Sequence, residues 1–377
     1  MAILGDKARV RRVLHAPTYS FLRTIDEGSA AETKLYEHTV LGGLRVQKSI
    51  SVLGLPDGVA RSEPRLLESM DHPHLIKVRD AQWDPDYDDS LKVITFTTDY
   101  YEGQSIHAAL NEGHAFGTAD AVAIIDCVLD GLHYLHVSAG VVHRDIKPGN
   151  VMLNAARNQG FVGDFGSAAY LDADSQKVDA SGGTLLYRPP EYSSGLLDVR
   201  SDLYSTGLTM FELLNGPFDY QALDGTVLLQ RAEAGKPALT PRHLRFQPWV
   251  SPSLVTFVRR LMATKPESRF ASADEALRSL RGLRYVDWTP VSSAEWIGKW
   301  PPRQVSARQR LLRVSSEHLG GRNVGHVSVT AATSIDGGRT WRNYARFARR
   351  VPEVEGAEGL ALVFRDVEAA AQSVATR

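Results

Sequence analysis

The sequence predicts an α+β chain: a small antiparallel sheet first, a mostly helical region second, and a small basic α+β module last. Three observations predict this order. From about Tyr19 to Ile50, short alternating stretches such as LYEHTV and LRVQKSI are separated by the turn signal LGG, the pattern of antiparallel strands. After Gly103, apolar residues recur at helical spacing in AVAIIDCVLDGLHYLH, DLYSTGLTMFELLNG and PSLVTFVRRLMATK, so helices run to about Arg284. Beyond Tyr285 the composition turns to Trp, Arg and Gly, with a break at Pro301-Pro302.

Within the first hundred residues, Pro64 to Met70 gives one short helical signal, followed by the turn DHPHL and the strand-like run LKVITFTTDY. The last module reads as a short helix around SSAEWIGKW, strands RQRLLRVSS and VGHVSVTAATS, and a turn at Asp336-Gly337-Gly338. A strand RTWRNYARF and a final helix FRDVEAAAQSVA complete it. No long flexible linker precedes the module, so it is expected to pack close to what comes before.

With 377 residues the chain exceeds one ordinary hydrophobic core, so a large domain plus a small one, or two of medium size, is expected. An apolar fraction of 43% with 23% charged residues excludes the disordered and collagen-like classes. The net charge of -1 gives no global attraction for nucleic acid or anionic membrane, so either would have to be met by a local patch. The single cysteine, Cys127, cannot form an internal disulfide and lies in an apolar run, which reads as a buried thiol in a reducing compartment. The opening MAILGDKARVRRVLHAP has no apolar core of signal-peptide length, and no segment approaches ~20 uninterrupted apolar residues. A cytoplasmic chain without a membrane partner is the expectation.

The strongest chemical signal is His143-Arg144-Asp145-Ile146-Lys147-Pro148-Gly149-Asn150, with Val141 and Val142 before it and Val151-Met152-Leu153 after. Fourteen residues past Asn150 stands Asp164-Phe165-Gly166, and further on Arg188-Pro189-Pro190-Glu191. Together with Lys48 these motifs resemble the eukaryotic-type (Hanks-type) serine/threonine protein kinase family, over about Tyr19 to Arg284. The resemblance implies a bilobal kinase fold with an N-lobe at about 19–100 and a C-lobe at about 101–284, and leaves 285–377 as an unrecognised module. It further implies transfer of the γ-phosphate of Mg·ATP, with Mn²⁺ as an alternative ion, to Ser or Thr hydroxyls of a protein substrate.

By that resemblance, Asp145 orients the substrate hydroxyl and accepts its proton, while Asn150 and Asp164 hold the metal, a hard ion suited to carboxylate and amide oxygens. Lys147 would steady the transferring phosphate, in the serine/threonine version of the loop. Lys48 would grip the ATP phosphates and pair with Glu63, found ten residues before Pro73. In the hinge-like segment from Phe96 to Gly103, Thr98 would be the gatekeeper, and the backbone of Asp99 and Tyr101 would meet the adenine. Asp202 would brace the catalytic loop, Glu191 would pair with Arg269, and Leu67, Val78, His143 and Phe165 would line a hydrophobic spine. Arg144 would receive a phosphate on the activation loop, with Ser175 or Ser181 the better candidates and Thr184 expected to contact Asp145.

Two departures from the family pattern stand out. Pro64 directly follows Glu63, which would start the helix at Pro64 and leave Glu63 at its boundary. The phosphate-covering loop reads IDEGSAAETKLY and keeps only Gly28, with either Thr33 or Leu35 capping the adenine, so ATP binding is expected to be weaker but not lost. These departures motivate an alternative: a catalytically weak or silent kinase-fold scaffold. In the module, ten arginines between Arg303 and Arg350 face two acids, Glu317 and Asp336, a surplus of eight positive charges interleaved with Trp341, Tyr344 and Phe347. That segment either grips a polyanion or a protein partner, or docks its arginines on an acidic part of the same chain.

Overall fold

The computed structural model describes residues 18–27, 31–51, 62–83, 93–300 and 310–374. These residues form two compact units, one ending at Glu102 and one beginning at Gly103. The first holds strands β1 (Tyr19–Glu27), β2 (Ala31–His38), β3 (Leu44–Ser51), β4 (Val78–Trp83) and β5 (Val93–Asp99) in one antiparallel sheet of order β1-β2-β3-β5-β4. Its single helix, α1, runs Ser62–Ser69. The helix therefore starts two residues earlier than Pro64. Proline is tolerated there because the first-turn N–H groups have no intrahelical acceptor in any case. Leu66 and Met70 are buried together with Leu75, Val93, Ile94 and Phe96.

The second unit opens with α2 (Ile106–Asn111) and α3 (Thr118–Tyr134), the latter prolonged by a π turn at Leu135–Ala139. Buried residues occur all round α3, including Ile124, Ile125, Cys127, Val128, Leu129 and Leu132, as a helix enclosed on every side requires. Thr118–Ala139 is thus the one helix among the described residues long and apolar enough to cross a bilayer, although Asp126 and Asp130 interrupt it; here it is the core of the unit. Two-stranded ladders follow: β6 (Val141–Val142) pairs with β9 (Ala169–Tyr170), and β7 (Val151–Leu153) with β8 (Gly160–Val162). β10 (Val178–Asp179) pairs with β11 (Leu196–Leu197). Helices α4 (Val199–Asn215), α5 (Gly225–Glu233), α6 (Pro252–Leu261) and α7 (Ala273–Arg281) complete the helical part. An Asp198/Ser201 capping box starts α4, which is buried from Ser201 to Leu214.

A second sheet follows, from β12 (Asp287–Ser292), β13 (Glu295–Trp300), β14 (Arg310–His318), β15 (His326–Ser334), β16 (Arg342–Asn343) and β17 (Arg349–Pro352). Its order is β12-β13-β14-β15, with both β16 and β17 pairing with β15. The closing helix α8 (Gly356–Val374) covers one face, and Leu360, Val363, Phe364, Val367 and Ala371 pack on Trp288, Trp296, Trp300, Leu312, Val314 and Val329. Two elements differ from the sequence reading. SSAEWIGKW is the turn and second strand of the β12–β13 hairpin, not a helix. Trp296 and Trp300 are four apart, a spacing that shares a face in a strand as well as in a helix. Between them, a Cβ on Gly298 would lie 2.8 Å from the Trp288 ring, so the glycine is what lets that ring close over the strand. RTWRNYARF keeps only two strand residues, because Tyr344 and Phe347 turn into the core through a one-turn 3-10 helix at Ala345–Phe347.

The module is tied to the helical part by polar and aromatic contacts. Gly117, at the start of α3, has no side chain to cap it. Asp287 supplies the cap instead: its Oδ1 accepts from the Ala119 N–H at 2.9 Å. Thr118 Oγ1 donates to the Trp288 carbonyl at 3.3 Å, and the Trp249 and Trp296 rings lie 5.6 Å apart. None of the described arginines, from Arg310 to Arg350, takes part in these contacts, so the attachment formed by the described residues does not run through their basic face. Asp287→Ala is expected to cost about 1 kcal/mol, the usual worth of a helix cap, and Asp287→Asn much less. Urea unfolding of the two variants checks this, and equal losses would count against the cap.

Glu368 of α8 lies at the same seam, buried, accepting from Ser251 Oγ at 2.5 Å and from Gln372 Nε2 at 3.0 Å. Burial pushes its carboxyl up from the usual 4.5 to about 7, against the two hydrogen bonds, which lower it. Between those values the folded protein holds a proton that the unfolded chain has lost. Stability from this group is therefore full below about pH 4.5 and is lost as the pH rises to about 7, by roughly 3 kcal/mol. Glu368→Gln should flatten that part of the pH–stability curve, as measured by denaturant midpoints across the window.

Candidate active site

The motif His143–Asn150 forms a loop between β6 and β7, closed by a 3-10 turn at Pro148–Asn150. The loop hangs on Asp202, a fully buried residue in the first turn of α4. Its Oδ2 accepts from the His143 N–H and its Oδ1 from the Arg144 N–H, both at 2.8 Å. His136, in the π turn, contacts Oδ2 through Nε2 at 2.9 Å. Burial by itself raises the Asp202 carboxyl, but the hydrogen bonds and the two histidines outweigh it and hold the group below the ordinary range. Arg144 takes φ 67°, a left-handed conformation unusual for a side-chain-bearing residue, which the two Asp202 hydrogen bonds lock in place.

At the loop's centre, Asp145 is 8% exposed and both its oxygens are engaged. Oδ1 accepts from the N–H and the hydroxyl of Thr184, each at 2.9 Å. Oδ2 accepts from Lys147 Nζ at 2.7 Å and from Asn150 Nδ2 at 3.1 Å. Lys147 also donates to Thr184 Oγ1 at 2.7 Å, so one hydroxyl is held between a carboxylate and an ammonium. Asn150 Nδ2 donates again to the Asp145 carbonyl at 2.8 Å, which commits the amide nitrogen to the loop and leaves the amide oxygen as the atom it can offer a cation. The Asp145 N–H donates to His143 Nδ1 at 3.3 Å, so His143 carries its proton on Nε2, facing the Gly163 carbonyl at 3.0 Å. Asp164 follows directly, exposed and left-handed at φ 59°, and the Gly163 N–H donates to the Asn150 carbonyl at 2.9 Å. Asn150 and Asp164 are thereby brought to neighbouring strand ends. Among the described residues, no group of three or more His, Cys, Asp or Glu could hold a metal unaided. A Mg²⁺ ion does not need one, since it usually takes one or two protein oxygens and completes its shell with phosphates and water.

The segment from Ser167 to Thr184 folds back against Arg144. The Arg144 guanidinium donates to the carbonyls of Ser167 and Asp179 and, at 2.7 Å, to Ser181 Oγ. Ser175 lies elsewhere, in a turn where its N–H donates to Asp172 Oδ1 at 2.8 Å, and does not meet Arg144. Gly183 passes so close to the catalytic loop that a Cβ there would lie 2.7 Å from the Arg144 carbonyl, at φ +71°. The fold of the loop therefore needs glycine at this position.

Below the segment, Glu191 and Arg269 form a two-pronged pair with both N···O distances at 2.7 Å. Arg269 is 2% exposed and donates further to the carbonyls of Ala263, Arg200 and Thr264. Further along α4, Glu212 is buried and accepts from the hydroxyls of Tyr187 and Tyr220. Burial raises all three groups, so Glu212 favours its protonated form more than a surface carboxylate would. No motif in the sequence marks His136, Tyr187, Glu212 or Tyr220. Each looks like an ordinary helix or loop residue until the chain brings its partner close.

The remaining predicted site residues belong to the first unit and are described within it. Lys48 on β3 pairs across the sheet with Thr33 and Phe96, its Nζ 5.8 Å from the Phe96 ring centre. Glu63 is the second residue of α1, and its side chain, like that of Leu67, lies outside the described residues, as does Gly28 entirely. Asp99 ends β5, where its carboxylate accepts from Arg79 Nε at 3.0 Å and lies 3.7 Å from Arg45. The Tyr101 hydroxyl is pushed up to about 12, mainly by burial, with Asp99 adding to the shift and Arg79 opposing it.

Residues 19–280 match the protein kinase domain, and the chain belongs to that family. The family's working parts are ATP and a divalent metal ion. Curated relatives are similar to the same part of the chain. One is a probable serine/threonine-protein kinase of Streptomyces coelicolor, 30% identical over 244 residues, spanning 63% of this chain and 35% of that protein. Another is the serine/threonine-protein kinase pkn3 of Myxococcus xanthus, 31% identical over 247 residues, or 62% and 44% of the two chains. A third is the serine/threonine-protein kinase PrkC of Bacillus subtilis, 26% identical over 263 residues, or 68% and 39%. The chain thus spans between about a third and under half the length of these relatives.

Proposed function

We propose that this chain is a serine/threonine protein kinase that transfers the γ-phosphate of ATP to protein hydroxyls. The observation that carries the reading is the Asp145–Thr184–Lys147 arrangement: a hydroxyl held on a buried carboxylate with an ammonium on its other side. A substrate hydroxyl taking such a place would have its proton drawn toward Asp145, while Lys147 stands ready to steady the phosphoryl group as it transfers. Asn150 and Asp164 would hold Mg²⁺, or Mn²⁺, through hard oxygens, and the metal with its nucleotide supplies the phosphoryl group and neutralises its charge. Lys48, with Glu63, would grip the nucleotide's phosphates, Gly28 would cover them, and the backbone of Asp99 and Tyr101 would meet the base.

Arg144 supports a regulatory reading as well. Its contact with Ser181 Oγ makes Ser181 the phosphate acceptor we favour for autophosphorylation, ahead of Ser175, since a phosphate there would gain a charge-assisted bond from the guanidinium. We assign the kinase domain to 19–284, in two lobes divided along the chain near residue 100, and a separate module to 285–377. The reaction is placed in the cytoplasm, where ATP and a reduced Cys127 belong together. The meeting of Lys147 and Asn150 on the Asp145 carboxylate, with Asp164 at a neighbouring strand end, supports an active enzyme over a silent scaffold. For the module, a protein partner is better supported than a polyanion, because Tyr344 and Phe347 pack on its core and Arg313 lies over Trp341, leaving little free stacking surface.

The test is phosphosite mass spectrometry on purified chain incubated with Mg·ATP, wild type beside Asp145→Asn. Phosphate on serine or threonine, Ser181 included, in the wild type alone is the expected result. No phosphate in either, with no stabilisation by Mg·ATP in a thermal shift, would return the scaffold reading.

A further inference from the structure

The seam between the helical part of the second unit and the module contains a cleft of about 640 Å³. Its walls are largely apolar: Pro248 and Trp249 precede α6, Pro290 and Trp296 come from the β12–β13 hairpin, and Leu360 from α8. Beside it, two valines stand in solvent, Val291 at 62% and Val354 at 93% exposure, each next in sequence to a lining residue. An exposed apolar rim around a concave aromatic floor marks an interaction site more often than chance exposure.

The charge at this place is opposite to that of the surrounding module. Among the described residues no Lys or Arg lines the cleft, and its titratable lining groups are Glu353 and His318, 3.4 Å apart in an exposed pair. From Val351 to Phe364 the chain carries Glu353, Glu355 and Glu358 with no basic residue, and Glu295 adjoins Trp296. The ten arginines between 303 and 350 lie in the same module, so a cationic ligand is drawn to the acidic rim and repelled from the arginine-bearing strands. Both walls are held by the contacts of Asp287, Thr118 and Glu368 across the seam, which leaves little ordering to be done on binding.

We propose that this cleft docks a peptide segment of a protein partner, one that presents a bulky apolar side chain flanked by Lys or Arg. The apolar anchor enters between Trp249, Trp296 and Leu360, and the basic flank meets Glu353 and its neighbours. The proposal goes beyond phosphoryl transfer: where the partner is also a substrate, docking here raises its local concentration at the kinase without new contacts at the reacting hydroxyl.

The test uses the full chain and random peptides displayed on phage. Enriched peptides are expected to share a Leu, Ile, Phe or Trp beside Lys or Arg, and a synthetic copy should change the tryptophan fluorescence on binding. Glu353→Lys should weaken that peptide by about tenfold or more, as a like charge at the rim requires. Ala357→Trp, which fills the cleft from an exposed lining position, should abolish binding. Both variants should keep the wild-type Tm and the wild-type rate on a generic peptide substrate. The proposal is overturned if nothing is enriched over a blank control, if the enriched peptides are acidic, or if they bind both variants as tightly as the wild type. Binding is read without catalysis, so its failure is distinct from failure of the kinase reading.

Discussion

Asp145→Asn is expected to lower kcat for phosphoryl transfer by about 10²–10⁴-fold while leaving the KM for ATP little changed. The carboxylate accepts four hydrogen bonds, two on each oxygen. An amide in its place must turn its NH₂ toward donors whichever way it is flipped. The less costly orientation faces Thr184, whose hydroxyl can rotate to accept but whose backbone N–H then loses its partner. Shape is preserved and the base is gone, so the loss should fall on turnover rather than on nucleotide binding. Initial rates at saturating Mg·ATP decide the matter, with a Mg·ATP thermal shift as the control for folding. Wild-type turnover in this variant would remove Asp145 from the chemistry.

Arg269→Ala should have the largest effect on stability, about 3–5 kcal/mol, because it leaves the Glu191 carboxylate facing the place of a lost guanidinium at a buried position. Three backbone carbonyls lose a donor at the same time. Urea midpoints at unchanged m-value measure the cost. Replacing both partners, Arg269→Met with Glu191→Leu, should recover a good part of it, since no unpaired charge then remains. A shift below about 1 kcal/mol in the single variant would mean that the pair is better hydrated than its burial indicates.

The catalytic loop was legible in the sequence because its chemistry is local: Asp145, Lys147 and Asn150 fall within six residues and meet through one carboxylate. The contact of Thr184 with Asp145 was also legible, through the family resemblance, although 39 residues separate them. Less legible was the support beneath. His136 is seven residues before His143, at the end of a mainly apolar run, and only the buried Asp202 between them shows what it does. SSAEWIGKW was misread because tryptophans four apart satisfy two periods at once, and the deciding residue, Gly298, acts through a ring ten positions away.

Residue types at short, fixed spacings thus determined by themselves the family and the order of sheet, helices and module, and marked the candidate reacting groups, because those properties depend on what neighbours along the chain can do together. Tertiary structure alone decided how the module attaches and what it offers. The cap that α3 lacks is Asp287, about 170 residues away, and the hydroxyl of Ser251 is spent on Glu368, more than a hundred residues on. A hydrogen bond has no sequence period, and its partner is fixed only when packing closes the distance. The surplus of arginine suggested a basic contact, but burial favours apolar and neutral groups over charges that would need desolvation. The seam was accordingly built from tryptophans, a cap and a carboxyl whose burial holds it toward the protonated form.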